Sequence, residues 1–251
     1  MWRFDAAMSS ESALTELVLA NRILAAQGVV DSFGHVSVRT PGDADHFLLS
    51  CARAPDQVVE RDIMSFDLDG AAIDPQGRKS YLERFIHAAI YAARPDVQAV
   101  VHSHAYAVIP FGITGVQVRP VMHVSSSIGR CVPVWDIAGR FGDTDLLVSD
   151  LSIGRDLASA LRAEPAILMR GHGATVVGRT LREAVHTAVY LQVNCTLQLH
   201  AAQLAAANEI RYLSDGEIAV RAAKDPTFGI DRAWESWRAQ AEAHDRQARS
   251  K

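Results

Sequence analysis

Helical and strand periodicities alternate along almost the whole chain, and this alternation leaves few fold classes open. Apolar residues recur at helical spacing over residues 11–27 and again over residues 82–93, which Arg94 and Pro95 follow. Shorter apolar or alternating runs separate the helices, as is typical of buried and half-buried strands. The sequence therefore predicts one α/β body, and it leaves the order of the strands open.

The remaining predicted elements follow the same two patterns. Strands are expected at residues 35–39, 47–49, 97–102, 166–170 and 175–177. Further helices are expected at residues 156–162, 181–208 and 233–244. No internal repeat and no long linker divides the chain, so a single domain is expected.

Composition narrows the classes of partner and compartment. The 251 residues carry 25 Lys and Arg against 29 Asp and Glu, and this net charge of −4 does not provide the basic surface that nucleic acid requires. No apolar run reaches the ~18 residues of a membrane span, and the first residues lack a secretory signal pattern. Three widely spaced cysteines do not form a disulfide framework. We therefore expect a cytoplasmic protein with neither a nucleic-acid nor a membrane partner.

Two of the predicted strands end in histidines, and these are candidate metal ligands. His102 and His104 are two residues apart at a strand end, so both side chains point to one face, with Cα atoms roughly 6.6 Å apart. His172 lies between Gly171 and Gly173 after another apolar strand, where glycines permit a sharp turn. Three imidazoles with a carboxylate or a water suit Mn²⁺, Zn²⁺, Fe²⁺ or Co²⁺, and the ligand set does not choose among these metals.

The other titratable candidates have weaker patterns. Glu83 precedes His87 by one helical turn, but its position relative to the apolar residues is typical of an exposed helical glutamate. His87 has no partner pattern and is expected to be a packing or surface histidine, as are the remaining histidines. Among these, His123 is the best candidate to border a pocket. The residues alone thus leave the fourth ligand open.

Several pieces of the chain, in order, resemble the class II aldolase/adducin family over roughly residues 14–205. The pieces are residues 33–39 (FGHVSVR), Glu83 with His87, residues 93–104 (ARPDVQAVVHSH), residues 169–174 (MRGHGA) and residues 177–184 (VGRTLREA). In that family the corresponding histidines hold a divalent metal, which implies His102, His104 and His172 as ligands. The family glutamate that matches Glu83 is implied as a metal ligand or a proton-transfer group.

The resemblance also implies a fold and an assembly. It implies a single class II aldolase-like domain over residues 1–251, in which a central, mainly antiparallel sheet is flanked by helices in three layers. The core would span about residues 11–210, with a helical C-terminal extension over about 211–251. The family assembly implies a homotetramer with sites at subunit interfaces. Trp234 and Trp237 are candidates either to reach a neighbouring subunit or to pack a terminal helix on the core.

Two departures from the family pattern bear on the substrate. Family members that act on phosphorylated sugars carry Asn where this chain has His35, and two serines where it has Tyr81 and Leu82. A phosphate dianion needs several hydrogen-bond donors, so a phenol and an isobutyl group at these positions favour a flat aromatic substrate. Residues 31–39 and 49–55 resemble the decarboxylase branch, which includes 3-hydroxy-2-methylpyridine-4,5-dicarboxylate decarboxylase and dihydroxyphthalate decarboxylase.

The resemblance therefore implies a divalent-metal-dependent decarboxylase of a hydroxyaromatic (benzene or pyridine) carboxylate or dicarboxylate. The metal would stabilise the enolate or phenolate that forms as the C–C bond breaks, and Glu83 or His35 would deliver a proton to the ring carbon. Hydroxyl groups, an aromatic wall and a guanidinium that pairs with a carboxylate would bind the substrate. The candidate substrate-binding residues are Ser37, Ser50, Arg53 and Tyr81.

Three other functions remain open at this point. One is a class II aldolase that cleaves a small unphosphorylated hydroxycarbonyl compound. Another is a non-catalytic binding protein such as adducin, which lacks the metal histidines that this chain retains at His102, His104 and His172. The last is an Fe²⁺-dependent oxygenase on the same fold. Release of CO₂ would indicate the decarboxylase, release of an aldehyde the aldolase, and uptake of O₂ the oxygenase.

Overall fold

The computed structural model describes residues 10–205, 209–224 and 227–249. Its strands are β1 (His35–Arg39), β2 (His46–Ser50), β3 (Ile63–Asp67), β4 (Ala99–Ser103), β5 (Val134–Trp135), β6 (Ala166–Met169) and β7 (Gly173–Gly178). Its α-helices are α1 (Ser10–Ala26), α2 (Arg84–Ala93), α3 (Ile109–Ile113), α4 (Ala138–Phe141), α5 (Leu151–Leu161), α6 (Leu181–Ala205), α7 (Asp215–Ala222) and α8 (Thr227–Arg249). Short 3₁₀-helices span Pro55–Gln57, Glu60–Asp62 and His123–Ile128.

The described strands form one seven-stranded sheet in the order β3-β2-β1-β4-β7-β6-β5. The neighbouring pairs are antiparallel except for β5 and β6, which run parallel. Strands β1, β4, β6 and β7 are buried along their whole length. The sheet is therefore mainly antiparallel, as expected, and its central strands have no solvent-facing side.

Helices cover both faces of the sheet. On one face, Leu17 of α1 and Val185 of α6 pack in the same apolar cluster as Val101 of β4. On the other face, Ile90 of α2 packs in a second cluster with Val100. Val100 and Val101 are consecutive in a strand, so their side chains point to opposite faces and join the two clusters. This arrangement of helices, sheet and helices confirms the predicted three-layer α/β fold.

The predicted elements are present, and some of their boundaries differ. Each of the five expected strands lies within two residues of an observed one at both ends. The helix expected over residues 82–93 begins at Arg84, which makes Glu83 its N-cap residue. The helix expected over residues 156–162 begins at Leu151, because the Asp150 side chain accepts a hydrogen bond from the Ile153 amide. The helix expected to reach residue 208 is described to Ala205, and residues 206–208 lie outside the described residues.

Five described strands and α-helices were not predicted from local sequence pattern: β3, β5, α3, α4 and α7, of which α7 lies within the helical C-terminal extension that the resemblance implies. Most are too short for a periodic pattern, and β3 is fixed by its antiparallel pairing with β2. The start of α7 did carry a signal, since Ser214 and Glu217 form a capping box with reciprocal side-chain to main-chain hydrogen bonds. Tertiary pairing and one overlooked cap thus account for the omissions.

The C-terminal helix packs on its own chain. Helix α8 contacts α1 and α6, and both Trp234 and Trp237 are buried in the cluster that these helices share. Of the two expectations for these tryptophans, core packing of a terminal helix is the one that the structure shows. Within the described ranges, no helix combines the length and the apolar character that a membrane crossing needs.

Close packing of α5 on α2 generates a prediction for stability. A Cβ atom at Gly154 would lie 2.5 Å from the Phe85 carbonyl oxygen, whereas nothing lies within 4 Å of a Cβ atom at Gly139, an exposed helical glycine. We expect Gly154→Ala to destabilise the fold by about 1–3 kcal/mol through overpacking. That loss lowers the Tm by roughly 2–4 °C per kcal/mol, as measured by circular dichroism.

Gly139→Ala is the matched control, because alanine is the better helix former and meets no neighbour. Its Tm should equal or exceed that of the wild type. Equal Tm values for the two variants would show that α5 does not depend on this close approach.

Candidate active site

Three histidine rings converge at the end of strand β4. Nε2 of His104 lies 3.1 Å from Nε2 of His102 and 2.9 Å from Nε2 of His172. Because β4 and β7 are antiparallel and pair Ser103 with Ala174, the end of β4 lies beside the start of β7, which His172 precedes. The structure thus brings together the three histidines that the sequence singles out.

The turn that carries His172 depends on both flanking glycines. Gly171 has a φ of +66°, in the left-handed region that favours glycine. A Cβ atom at Gly173 would clash with the Ser103 carbonyl oxygen, so only glycine lets β7 begin this close to β4. The Gly-His-Gly sequence therefore has a steric reason at each glycine.

Glu83 completes the cluster from a different element. Its Oε2 atom lies 3.5 Å from Nε2 of His102 and 3.4 Å from Nε2 of His172, while its Oε1 atom accepts a hydrogen bond of 3.0 Å from the Val148 amide. The side chain is only 8% exposed. The expectation of an exposed helical glutamate was wrong, because Glu83 lies at the N-cap position of α2 instead of on the helix surface, and its side chain is turned towards the segment before α5.

The charges of the cluster follow from burial and proximity. Burial alone would raise the pKa of the Glu83 carboxyl, but the His102 and His172 rings hold it well below its usual value. Burial lowers the pKa of His102, and burial with the two neighbouring rings lowers the pKa of His104 to about 4. For His172, burial works against the charged form, but the hydrogen bond to Glu83 raises its pKa. At neutral pH the carboxylate is ionised, and His104 is neutral with a free lone pair.

Main-chain and hydroxyl groups fix the orientation of the rings. Nδ1 of His172 donates a hydrogen bond of 2.9 Å to the Leu146 carbonyl, so Nε2 is the ring nitrogen that faces the cluster. Nδ1 of His102 lies 3.5 Å from the Thr175 hydroxyl. Leu146 has a φ of +67°, an uncommon conformation for a leucine, and its carbonyl direction depends on that turn.

The four side chains have the dimensions of a metal site. One ligand atom from each of Glu83, His102, His104 and His172 lies within 4.8 Å of the others. A tetrahedral ion with ligand bonds of about 2.1 Å holds its ligand atoms roughly 3.4 Å apart, close to the nitrogen–nitrogen and nitrogen–oxygen distances observed here. The buried Glu83 carboxylate also carries a negative charge that a cation in this cluster would balance. The residues therefore fit a divalent ion.

His35 forms the wall beside this cluster. Strand β1 pairs His35 with His102 across the sheet, and the two ring centroids are 5.0 Å apart. The Tyr81 ring also contacts the His35 ring, with ring centroids 4.6 Å apart. Burial and the nearby His87 and His102 rings hold the pKa of His35 well below its usual value, so its imidazole is neutral.

Ser37 does not face the open side of the cluster. It is fully buried, and its hydroxyl lies 2.6 Å from Nδ1 of His87 and 2.8 Å from the Tyr91 hydroxyl. Nε2 of His87 lies 2.6 Å from Nδ1 of His35. Sequence reasoning missed the place of His87 and Tyr91, which lie four residues apart on α2 opposite the same face of β1. That spacing, set against the two-residue spacing of His35 and Ser37, was the available signal.

The other predicted substrate-binding residues lie together on the far side of Tyr81. The Tyr81 hydroxyl lies 3.4 Å from Oγ of Ser50 and donates to the Arg53 carbonyl. Burial raises the pKa of Tyr81, so the phenol is protonated. Nε of Arg53 lies 3.4 Å from a carboxylate oxygen of Asp62, so the guanidinium already has an anionic neighbour.

Exposed apolar side chains surround the cluster. Phe33 stacks near His104 with ring centroids 6.2 Å apart and is 64% exposed. Leu82 precedes Glu83 and is also exposed, as is Tyr106, whose hydroxyl donates to Asp31. Side chains of this size are more often buried, so this rim is a candidate contact surface.

His123 lies apart from the cluster and lines a separate cavity. This cavity of about 680 Å³ is formed by the 3₁₀-helix His123–Ile128 together with α6, α7 and α8. His186 and Trp237 also line it. The prediction that His123 borders a pocket is confirmed, and none of the four cluster residues lines this pocket.

Comparison with known proteins identifies a family and several relatives of this chain. The family described as "Class II Aldolase and Adducin N-terminal domain" matches residues 15–199. The decarboxylase tropJ of Talaromyces stipitatus is 36% identical over 237 residues, which cover 86% of this chain and 88% of that protein. The 3,4-dihydroxyphthalate decarboxylase of Arthrobacter keyseri is 26% identical over 242 residues, which cover 90% of this chain and 93% of that protein.

Solved structures show the same fold. The crystal structure of an aldolase II superfamily protein from Pseudomonas syringae superimposes with a TM-score of 0.79 and covers 95% of each chain. At 24% sequence identity, this similarity establishes the fold alone. The arrangement of sheet and helices is therefore the class II aldolase-like one that the sequence predicts.

The cluster predicts metal binding that depends on each of its histidines. After loading with Zn²⁺ and gel filtration, we expect the wild type to retain one ion per chain. His102→Ala, His104→Ala and His172→Ala should each fall well below that ratio, since each removes a ligand. Inductively coupled plasma mass spectrometry measures the content.

His46→Ala serves as the control, because His46 pairs with Asp43 on a partly exposed strand end outside the cluster. Its metal content should match the wild type. Full occupancy in all three ligand variants would contradict the assignment of the site.

Proposed function

This chain belongs to the class II aldolase and adducin family, and from that premise we propose that it is a divalent-metal-dependent decarboxylase of a hydroxyaromatic carboxylate or dicarboxylate on a benzene or pyridine ring. Decarboxylases and aldolases both break carbon–carbon bonds, and the chain is a lyase of this kind. The observation that carries the narrower proposal is the pair of rings at the wall of the cluster. The ring centroids of His35 and Tyr81 are 4.6 Å apart, so the two rings contact each other and form one aromatic surface, and a flat ring packs against such a surface better than a sugar phosphate does.

The names of the relatives support the same substrate class. One acts, by its name, on 3,4-dihydroxyphthalate, an aromatic dicarboxylate with hydroxyl groups. Another is named a decarboxylase and is the more similar of the two in sequence. A substrate with two carboxylates also suits Arg53, whose main-chain carbonyl accepts a hydrogen bond from the Tyr81 hydroxyl and whose guanidinium would take the carboxylate that stays on the ring.

Glu83, His102, His104 and His172 would hold the ion, which supplies positive charge beside the substrate oxygen next to the breaking bond. Glu83 is ionised, so it accepts the proton of the substrate hydroxyl group and returns it to the ring carbon that bears the carboxylate. The C–C bond then breaks, its electron pair restores the aromatic ring, and CO₂ leaves. The product oxygen regains a proton from solvent.

His35 has a different role in this proposal. Its neutral imidazole donates a hydrogen bond from Nε2 to an anionic oxygen of the substrate, where negative charge increases during the reaction. Tyr81 borders the ring, and its buried phenol stays protonated. The hydroxyl of Ser50 lies next to the Tyr81 hydroxyl and can bind a polar ring substituent. Ser37 reaches the substrate only through His87 and His35.

The direct test is product analysis with purified, metal-loaded protein. We expect release of CO₂ from at least one member of a panel of hydroxybenzoates, dihydroxyphthalates and hydroxypyridine dicarboxylates, without uptake of O₂. Release of an aldehyde from unphosphorylated hydroxycarbonyl compounds, with no CO₂ from the acids, would replace the proposal with an aldolase.

His35→Asn is the matched variant for this assay, since it restores the residue of the sugar-phosphate branch. We expect kcat for CO₂ release to fall about 10²-fold or more, as for loss of one preorganised donor, with metal content near that of the wild type. Unchanged turnover would remove His35 from the mechanism.

We further propose that the protein is a homotetramer with sites at subunit interfaces, in the cytoplasm. The exposed rim of Phe33, Leu82 and Tyr106 beside the cluster supports a covering subunit. The three cysteines are unpaired, as is usual in a reducing compartment.

Sedimentation equilibrium tests the assembly. Four chains of 27.3 kDa give a mass of about 109 kDa. A monomeric mass at micromolar concentration would contradict the tetramer and leave the rim without a partner.

A further inference from the structure

A chain of four buried polar side chains ends on His35. The Tyr91 hydroxyl lies 2.8 Å from Oγ of Ser37, which lies 2.6 Å from Nδ1 of His87. Nε2 of His87 lies 2.6 Å from Nδ1 of His35. None of the four side chains is more than 3% exposed, so water does not compete for these hydrogen bonds.

Each of the three hydrogen bonds that join these four side chains contains a single hydrogen. Burial lowers the pKa of His87 to about 3, so its ring is neutral and has a proton on only one nitrogen. Burial raises the pKa of Tyr91, so its phenol keeps its proton. Since each ring nitrogen either donates or accepts, all of the hydrogen bonds point the same way along the chain.

The phenol decides which way they point. Among the described residues, Ser37 is the acceptor within reach of the Tyr91 hydroxyl. If the hydrogen bonds ran towards Tyr91, the phenol would receive a hydrogen from Ser37 and its own hydrogen would stay buried without an acceptor. If it runs from Tyr91, every group is satisfied. Tyr91 then donates to Ser37, Ser37 to His87, and His87 to His35.

We propose that His87, Ser37 and Tyr91 are positioning residues that hold His35 in the tautomer with its proton on Nε2. Nδ1 of His35 accepts from His87, so Nε2 carries the hydrogen. In the described residues no hydrogen bond engages that nitrogen, and it lies on a ring flanked by Tyr81 and His102. An anionic substrate oxygen is attracted by this N–H, and it would be repelled by the lone pair of the other tautomer.

The inference rests on the proposed function for the role of His35 towards substrate, but the tautomer itself can be observed without any reaction. Neutron diffraction from deuterated crystals of the Zn²⁺-loaded protein locates the exchangeable hydrogens. We expect deuterons on Nε2 of His35 and on Nε2 of His87. A deuteron on Nδ1 of His35 would overturn the inference. If the wild type releases no CO₂ from any acid tested, the proposed function fails while this map still decides the tautomer.

Kinetics of substituted proteins test the effect on catalysis. His87→Phe keeps a planar ring in the buried site but cannot donate to His35. We expect kcat for CO₂ release to fall about tenfold to hundredfold, as for loss of an outer hydrogen-bond partner, with KM and metal content unchanged. His87→Gln should recover much of the loss, because its terminal amide can donate to Nδ1 of His35. Wild-type kcat in His87→Phe would overturn the inference.

Phe47→Leu is the matched control for packing. The Phe47 ring contacts the His87 and Tyr91 rings, with centroids 6.2 Å and 5.2 Å away, and it adds no hydrogen bond to the chain. We expect a lower Tm with kcat near the wild-type value. An equal loss of kcat in Phe47→Leu and His87→Phe would show that packing, and not the hydrogen-bond direction, sets the activity.

Discussion

The buried carboxylate of Glu83 is the group on which the arrangement of the site depends. A negative charge that is 8% exposed is stable only where cations or donors meet it, and here two imidazoles and one main-chain amide do so. Those partners come from β4, from the turn before β7 and from the segment before α5. The carboxylate therefore ties together three parts of the chain that are far apart in sequence, and it gives the cluster the charge that a divalent ion would balance.

The order of the sheet explains why these groups can meet. Strands β1, β4 and β7 are neighbours, so His35, His102 and the turn with His172 share one end of the sheet. Helix α2 lies on one face of that sheet, with Glu83 at its N-cap position and His87 one turn later. The same helix thus positions Glu83 in the cluster and places His87 within hydrogen-bond distance of His35, which forms the wall beside the cluster. The position of α2, held by its contact with α5, fixes both.

The sequence allowed five of the seven described strands and the three histidines to be predicted, because both depend on local pattern. A period of two places His102 and His104 together, and the two glycines around His172 report a tight turn. Glu83 was misjudged and the hydrogen-bond partners of His87 were missed for one reason: helical periodicity describes what an isolated helix shows to solvent. It does not report the β-strand and the loop that cover these residues in the folded chain. The family resemblance supplied Glu83, and nothing local supplied Tyr91.

The segment before α5 contacts the cluster through main-chain atoms only. The Leu146 carbonyl accepts from His172, and two residues later the Val148 amide donates to Glu83. Both bonds depend on the path of the main chain, so an insertion or deletion between these positions would displace two ligands in one event. Homologous enzymes that keep this chemistry should therefore conserve the length of the segment.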